Sequence, residues 1–157
     1  MTDNERRILI LGMGNPILSD DGIGLLITKR LEGRIPGVDI ASITLAGIEL
    51  LDILAGYDHV FLIDAATGTG GEPGELTEIS DGKGALHLFT SHGVNFFEIL
   101  RIGRDSGLKM PDPEAVFGIE IGNATDFGTS LSPALLSALP ALEKEITSRI
   151  EQRLNAL

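Results

Sequence analysis

Residues 8–24 of the chain read ILILGMGNPILSDDGIG, and this stretch is the best guide to the fold. It opens with Ile8–Leu11, a short apolar run closed by glycine and proline, as is typical of a buried strand. From Asp20 to about Arg34 the apolar residues recur at helical spacing, and Asp20 or Asp21 is suited to cap the helix N-terminus. The stretch therefore predicts a strand, a loop and a helix in succession.

The same succession of apolar strands and helices recurs along the rest of the chain. The patterns predict strands at Val38–Leu45, Val60–Ile63, Glu75–Ile79 and Ala115–Ile121, and helices at Gly47–Ala55, Val94–Ile102 and from Ser132-Pro133 to Leu154. Parallel pairing with right-handed crossovers is the natural connection between such strands, while the alternation within Glu75–Ile79 indicates an antiparallel edge strand. Because no linker is long enough to separate two domains, residues 1–157 are expected to form a single domain.

The chain is acidic, with 12 Lys and Arg residues against 23 Asp and Glu residues and a formal net charge of −11. Such a charge repels phosphate backbones, and an aromatic content of 4% offers no stacking platform for bases, so no nucleic acid is expected as a partner. The charge could favour metal cations or a basic protein surface, although solubility alone also explains it. The hydrophobic residues, 43% of the chain and mostly aliphatic, suit helices packed on a sheet.

Cysteine is absent, so any metal must be held by histidine and carboxylate groups, and a cysteine nucleophile is excluded. The polar segment Met1–Arg7 leads straight into the first apolar run without the architecture of a signal peptide. No apolar stretch reaches the length that spans a membrane. A soluble cytoplasmic protein with no membrane partner is therefore expected.

Several common catalytic signatures are missing from the sequence. It contains no G-x-S-x-G, no H-E-x-x-H and no G-x-x-x-x-G-K-[ST] motif, which removes support for simple hydrolase and nucleotidase functions. Gly12 and Gly14 after the first strand resemble the start of a dinucleotide fingerprint, but Ile17 occupies the third glycine position and Pro16 interrupts the turn. Nucleotide binding is therefore a weak alternative.

Acidic and imidazole side chains follow several of the predicted strands. Asp20 and Asp21 stand in the loop after the first strand, Asp64 ends the third, and His92 precedes the third helix. In a doubly wound sheet the loops at the carboxyl ends of the strands converge along one edge, which would bring these groups together. Two carboxylates and one imidazole would form an open site for a borderline divalent cation, with positions left for water or for groups from a partner.

Each of these residues also has a structural explanation. Asp20 fits a helix N-cap, and Asp21 could simply favour the helix dipole. Asp64 would cost free energy if it were buried alone, so an exposed site edge, a cation or the capping of a local turn is expected there. His92 could merely stand beside the N-cap of the next helix.

The other two histidines fit structural roles better than a metal site. His59 precedes a strand on the far edge of the predicted sheet, and His87 belongs to an apolar patch together with Leu86, Leu88 and Phe89. Both are expected to lie away from the convergent loops.

Residues 12–24 resemble the G-x-G-N-x-L-x-x-D-[DE]-x-x-G signature of the hydrogenase maturation endopeptidases, with Ile17 in place of the leucine. The resemblance continues in the same order along essentially the whole chain. It includes Gly47-Ile48-Glu49-Leu50-Leu51, Asp64-Ala65, Pro73-Gly74, Ser91 and Gly93 around His92, and Leu131-Ser132-Pro133. A long motif supported by several separated ones is a specific match.

This resemblance implies a three-layer α/β/α sandwich with a mostly parallel, twisted sheet of about five strands. It also implies that Asp21, Asp64 and His92 engage nickel already inserted in a hydrogenase large-subunit precursor, whose C-terminal extension is then removed. Asp21 and Asp64 would be the catalytic residues, and nickel would come with the substrate instead of being held at rest. The alternative function is a non-catalytic metal-binding or chaperone-like module that holds the precursor with the same loops.

Overall fold

The computed structural model describes residues 5–17, 19–44, 48–80, 95–122, 127–128 and 130–157. Strands and helices alternate along these residues except for two consecutive strands, His59–Ala66 and Leu76–Glu78. A 3₁₀ turn at Ser19–Gly22 precedes the first helix. In chain order the elements are β1 (Ile8–Met13), α1 (Ile23–Leu31), β2 (Asp39–Ile43), α2 (Glu49–Leu54), β3 (His59–Ala66), β4 (Leu76–Glu78), α3 (Phe96–Asp105), β5 (Asp112–Glu120) and α4 (Pro133–Ala156).

The strands form one five-stranded sheet in the order β2-β1-β3-β5-β4. All neighbouring pairs are parallel except β4 and β5, which are antiparallel, so the prediction of an antiparallel edge strand is confirmed. The chain leaves β1 for β2 on one side and then crosses to β3 on the other side. The carboxyl ends of β1 and β3 therefore form the topological switch point, where ligands bind in open α/β sheets.

Helices cover both faces of the sheet, as the predicted three-layer sandwich requires. Side chains on one face of β3, such as Phe61 and Ile63, form a buried cluster with residues of α1 and α4. Side chains on the other face, such as Val60 and Leu62, form a second cluster with residues of α2 and α3. Strands buried on both faces read as continuous apolar runs, which explains why the sequence shows no alternation there.

The last helix is the longest element of the described residues, and its prediction is confirmed. Ser132 is the N-cap, and Pro133 stands at the start of the helix, where a missing backbone N–H costs nothing. Its buried residues recur every three or four positions: Leu135, Leu139, Leu142, Ile146 and Ile150. Among the helices that the structure describes, none is long and apolar enough to cross a membrane.

Two predicted boundaries close to the switch point were wrong. The first helix begins at Ile23, and its N-cap is Gly22 without a side-chain hydrogen bond, so neither Asp20 nor Asp21 caps it. The reason is the intervening 3₁₀ turn, which contains both aspartates. The third strand does not end at Asp64 but continues through Ala66, because β5 stays in register with it to that point.

Candidate functional site

Two glycines allow α1 to pack directly on the carboxyl ends of β1 and β3. A Cβ atom at Gly12 would lie 2.2 Å from Thr28 Oγ1 in α1. A Cβ atom at Gly24 would lie 2.4 Å from the carbonyl oxygen of Met13 and 2.5 Å from that of Ile63. Only glycine fits at such distances, so the glycine spacing of the first motif places the start of α1 at the switch point.

The 3₁₀ turn brings Asp21 to this edge of the sheet. Asp20 and Asp21 are both buried, although they lie in a turn between a loop and a helix. The Asn15 backbone N–H donates to the Asp21 carbonyl oxygen at 3.4 Å, and a Cβ atom at Gly14 would lie 2.7 Å from that same oxygen. The turn also contacts β3. The segments that carry Asp21 and Asp64 therefore meet at the switch point.

Asp64 has the most unusual position of the acidic residues, because its side chain is 0% exposed. It lies inside β3, and a Cβ atom at Gly24 would come within 3.1 Å of its Cα. Strand alternation places it on the same sheet face as Leu62 and Ala66. The expected exposed edge is therefore wrong for this residue, since it is a buried carboxylate within a strand.

Asp20 fastens the turn to the start of α4. Its Oδ1 atom accepts a hydrogen bond of 2.6 Å from the backbone N–H of Ser132. Ser19, in the left-handed region at φ 42°, donates from its hydroxyl to the Ser130 carbonyl oxygen at 2.7 Å and from its backbone N–H to the Gly128 carbonyl oxygen at 2.8 Å. A strained residue held by several bonds indicates a loop whose conformation is fixed.

Glu120 is a buried acidic residue that the sequence patterns did not single out. It is the last residue of β5, and its carboxylate organises the glycine-rich loop that follows β3. The carboxylate accepts hydrogen bonds from the Gly68 N–H at 3.1 Å, the Thr69 N–H at 3.4 Å and the Thr69 hydroxyl at 2.6 Å. The signal was available, because Glu120 interrupts the apolar run Ala115–Ile121 just as Asp64 follows its own run.

His59 is the one histidine among the described residues, and its position indicates a structural role. His59 is the first residue of β3, at the opposite end from Asp64, and its Nδ1 atom lies 2.7 Å from Glu114 Oε1. Its predicted place away from the convergent loops is confirmed. His87 and His92 lie outside the described residues. In the described ranges no three His, Asp or Glu side chains are grouped to hold a metal ion, so Asp21, Asp64 and His92 stay a predicted ligand set.

These features define an α/β protein whose candidate site lies at the switch point of a mostly parallel sheet, where the segments that carry the buried Asp21 and Asp64 meet. A family model described as hydrogenase maturation protease matches residues 27–149. The hydrogenase 2 maturation protease of Escherichia coli (strain K12) is 31% identical over 159 residues, which cover 96% of this chain and 95% of that protein. The chain belongs to the hydrogenase maturation protease family, and its activity is that of a peptidase.

Solved structures agree with this assignment. The hydrogenase maturating endopeptidase HybD from E. coli matches with a TM-score of 0.68 and 26% identity, over 93% of each chain. The [NiFe] hydrogenase maturation protease HybD from Thermococcus kodakarensis has the same fold, with a TM-score of 0.69 and 24% identity over 92% of this chain and 98% of that one. Asp64 and His92 fall inside the residues that the family model matches, whereas Asp21 precedes them.

Proposed function

We propose that this protease removes the C-terminal extension of a [NiFe]-hydrogenase large-subunit precursor, and that it acts once nickel has been inserted in that precursor. The observation that best supports the proposal is Asp64, a carboxylate with 0% exposure inside a central strand. Burying a carboxylate costs free energy on the order of several kcal/mol, unless nearby charges or hydrogen bonds offset this cost. A buried carboxylate at the switch point of an open α/β sheet is well placed to act on a ligand or substrate bound there.

Asp21, Asp64 and His92 are the groups proposed to meet the nickel of the substrate. Two carboxylate oxygens and one imidazole nitrogen suit a borderline divalent cation. Three protein ligands leave coordination positions open, so the precursor's own groups can fill the rest. In this proposal nickel is a recognition element carried by the substrate, and the free protease has no need of a resident metal.

The chemistry required is the hydrolysis of one peptide bond. A water molecule attacks the peptide carbonyl carbon, and one of the two carboxylates, Asp21 or Asp64, takes the proton from that water as a general base. The proton is then delivered to the leaving amide nitrogen. A metal cation close to the carbonyl oxygen would add polarisation of the carbonyl group.

The other acidic residues of the edge have supporting roles in this proposal. Asp20 fixes the turn that carries Asp21 through its bond to the Ser132 N–H. Glu120 fixes the loop at Gly68 and Thr69, which follows the strand that carries Asp64. Both hold neighbouring segments in place, as precise orientation of catalytic groups requires.

The experiment uses intact-mass analysis of the nickel-loaded precursor incubated with single variants. Asp21→Asn, Asp64→Asn and His92→Ala are each expected to reduce the cleavage rate at least about 100-fold. Matched controls come from groups away from the switch point: Asp105→Asn at the exposed end of α3, and His59→Ala at the opposite end of β3. Circular dichroism and thermal unfolding verify that each variant is folded.

The controls are expected to cleave within about threefold of the wild-type rate, because they leave the proposed site intact. Cleavage at the wild-type rate by folded Asp64→Asn and His92→Ala would refute the assignment of the site. A precursor that binds stably to the wild-type protein without any change in mass would instead support the non-catalytic alternative.

A further inference from the structure

The most exposed large apolar side chains of the described residues are gathered at one edge of the molecule. Four of them are more than half exposed, from 54% for Leu136 to 82% for Phe127. Ile17 follows β1, Ile48 follows β2, Phe127 follows β5, and Leu136 lies in the first turn of α4. All four segments lie beside the switch point, at the end of the sheet where the parallel strands have their carboxyl ends. We call this end of the sheet the carboxyl edge and the opposite end the amino edge. The other exposed large apolar residues, Ile102 and Leu108, are less exposed and lie in and after α3.

The backbone that presents two of these side chains is held firmly. The Gly128 N–H donates to the Ile17 carbonyl oxygen at 2.9 Å, so the residues next to Phe127 are joined to the loop after β1. The bonds of Ser19 to Gly128 and Ser130 reinforce the pairing. Because hydrogen bonds already fix the backbone here, these side chains lose little conformational entropy when a partner covers them. A smaller entropy loss favours binding.

The charged residues described at this carboxyl edge are all acidic. The segments of this edge are residues 14–26, 44–52, 67–75 and 121–136, and their described residues include no lysine or arginine. The acidic residues described in these segments are Asp20, Asp21, Glu49, Asp52, Glu72 and Glu75. An acidic edge with exposed apolar side chains is complementary to a partner that is both apolar and positively charged.

We propose that Ile17, Ile48, Phe127 and Leu136 form a docking surface for a segment of the precursor that carries apolar side chains and a net positive charge. The inference rests on the proposed function, since it takes the precursor as the occupant. The surface borders the switch point where Asp21 and Asp64 lie. A substrate whose peptide bond reaches that point therefore comes close to this surface.

The test compares two double variants with matched chemistry. Phe127→Ala with Ile17→Ala removes apolar surface at the carboxyl edge, and Ile102→Ala with Leu108→Ala removes it elsewhere. Each protein is assayed for cleavage of the nickel-loaded precursor and for equilibrium binding to it. The first pair is expected to raise KM and Kd at least about tenfold with kcat nearly unchanged, as for central interface residues. The second pair is expected to stay within about twofold of wild type.

The dependence of precursor binding on salt concentration is the second part of the test. Raising the salt concentration from about 50 mM to about 500 mM is expected to weaken precursor binding severalfold, because the attraction between opposite charges is screened. Salt-independent binding would overturn the charge component of the proposal. Equal KM values for the two double variants would overturn the docking surface itself.

These experiments distinguish a failure of the docking surface from a failure of the peptidase proposal. If the wild type binds the precursor without cutting it and the Phe127 pair binds tenfold more weakly, the surface stands and the peptidase proposal falls. If the wild type cuts the precursor and both pairs behave alike, the surface falls and the peptidase proposal stands. A concentration-dependent dimer that only the Phe127 pair abolishes, with precursor binding unchanged, would assign the surface to a second copy of the chain and overturn the proposal.

Discussion

Gly24 shows how a single residue positions the candidate site. Its missing side chain lets α1 begin against the backbone of β1 and β3, where a Cβ atom would lie 2.4 Å from the Met13 carbonyl oxygen. Real Cβ atoms do not approach backbone oxygens so closely. The glycine is thus required by packing at the switch point, and the packing sets the distance between the 3₁₀ turn and Asp64.

Gly24→Ala is expected to lower the free energy of unfolding by at least about 2 kcal/mol, because the backbone of two strands would have to move. Urea unfolding followed by circular dichroism measures the change. Gly122→Ala is the matched control, since a Cβ atom there would make only an ordinary contact of 3.4 Å with Pro73 Cγ. The control is expected to be neutral or slightly stabilising. Equal stabilities for the two variants would contradict the packing argument.

The acidic residues were predictable from the sequence to different degrees. Asp64 stands out because it follows a four-residue apolar run, and Asp21 because of its motif. The complete burial of Asp64 was not predictable, since it depends on β5 staying paired with β3 through Ala66. Glu120 was missed because its role depends on hydrogen bonds from a loop some fifty residues earlier in the chain.

At the scale of elements, the 3₁₀ turn at Ser19–Gly22 is the piece that the sequence patterns did not predict. Asp20 suits a helix N-cap as well as any residue. Its partner is instead the Ser132 N–H, which belongs to the last helix. Local patterns cannot reveal a bond across 112 residues of sequence. They did predict α4 and the antiparallel β4, because amphipathic spacing and strand alternation are local properties.

Asp20→Ala is expected to reduce the free energy of unfolding by about 1–3 kcal/mol, because it removes the acceptor of a charge-assisted bond to a partly buried N–H. It is also expected to slow cleavage, since the turn that carries Asp21 loses its link to α4. Asp20→Asn keeps an oxygen acceptor and is expected to recover more than half of the lost stability. If Asn and Ala were equally destabilising, the hydrogen bond would not be the cause.

The opposite edge of the sheet is held by Asp58, which joins the beginnings of several strands. Its Oδ2 atom accepts from the Arg7 N–H at 2.8 Å, and its Oδ1 atom lies 2.6 Å from Lys109 Nζ. Its backbone carbonyl accepts from the Asp112 N–H at 2.9 Å. The hydrogen bond from Lys109, followed by the one from the Arg7 backbone, lowers the pKa of Asp58 below its ordinary value of 3.8.

This lowered pKa predicts how stability depends on pH. The folded protein releases the Asp58 proton more readily than the unfolded chain, so the stabilisation is present above pH 3.8 and is lost as the pH falls through the folded pKa. Asp58→Asn is expected to be less stable than wild type at pH 7, by about 1 kcal/mol or less for a pair this exposed. The difference should vanish in acid. A difference that persists unchanged at pH 2 would contradict it.

At the scale of the whole molecule, the amino edge and the carboxyl edge of the sheet have different functions. The amino edge is held by the Asp58–Lys109 ion pair and by the contact between His59 Nδ1 and Glu114 Oε1. The carboxyl edge gathers Asp20, Asp21 and Asp64 together with the most exposed apolar side chains of the described residues. The arrangement fits a protease that recognises another protein at one edge and is stabilised at the other.

The most direct test of the proposed function is intact-mass analysis of one large-subunit precursor, prepared with and without nickel and incubated with the wild-type protein. We expect a discrete loss of a C-terminal segment from the nickel-loaded precursor and an unchanged mass for the nickel-free form. An unchanged mass for the loaded, cognate precursor would contradict the peptidase proposal, and equal cleavage of both forms would contradict recognition through nickel.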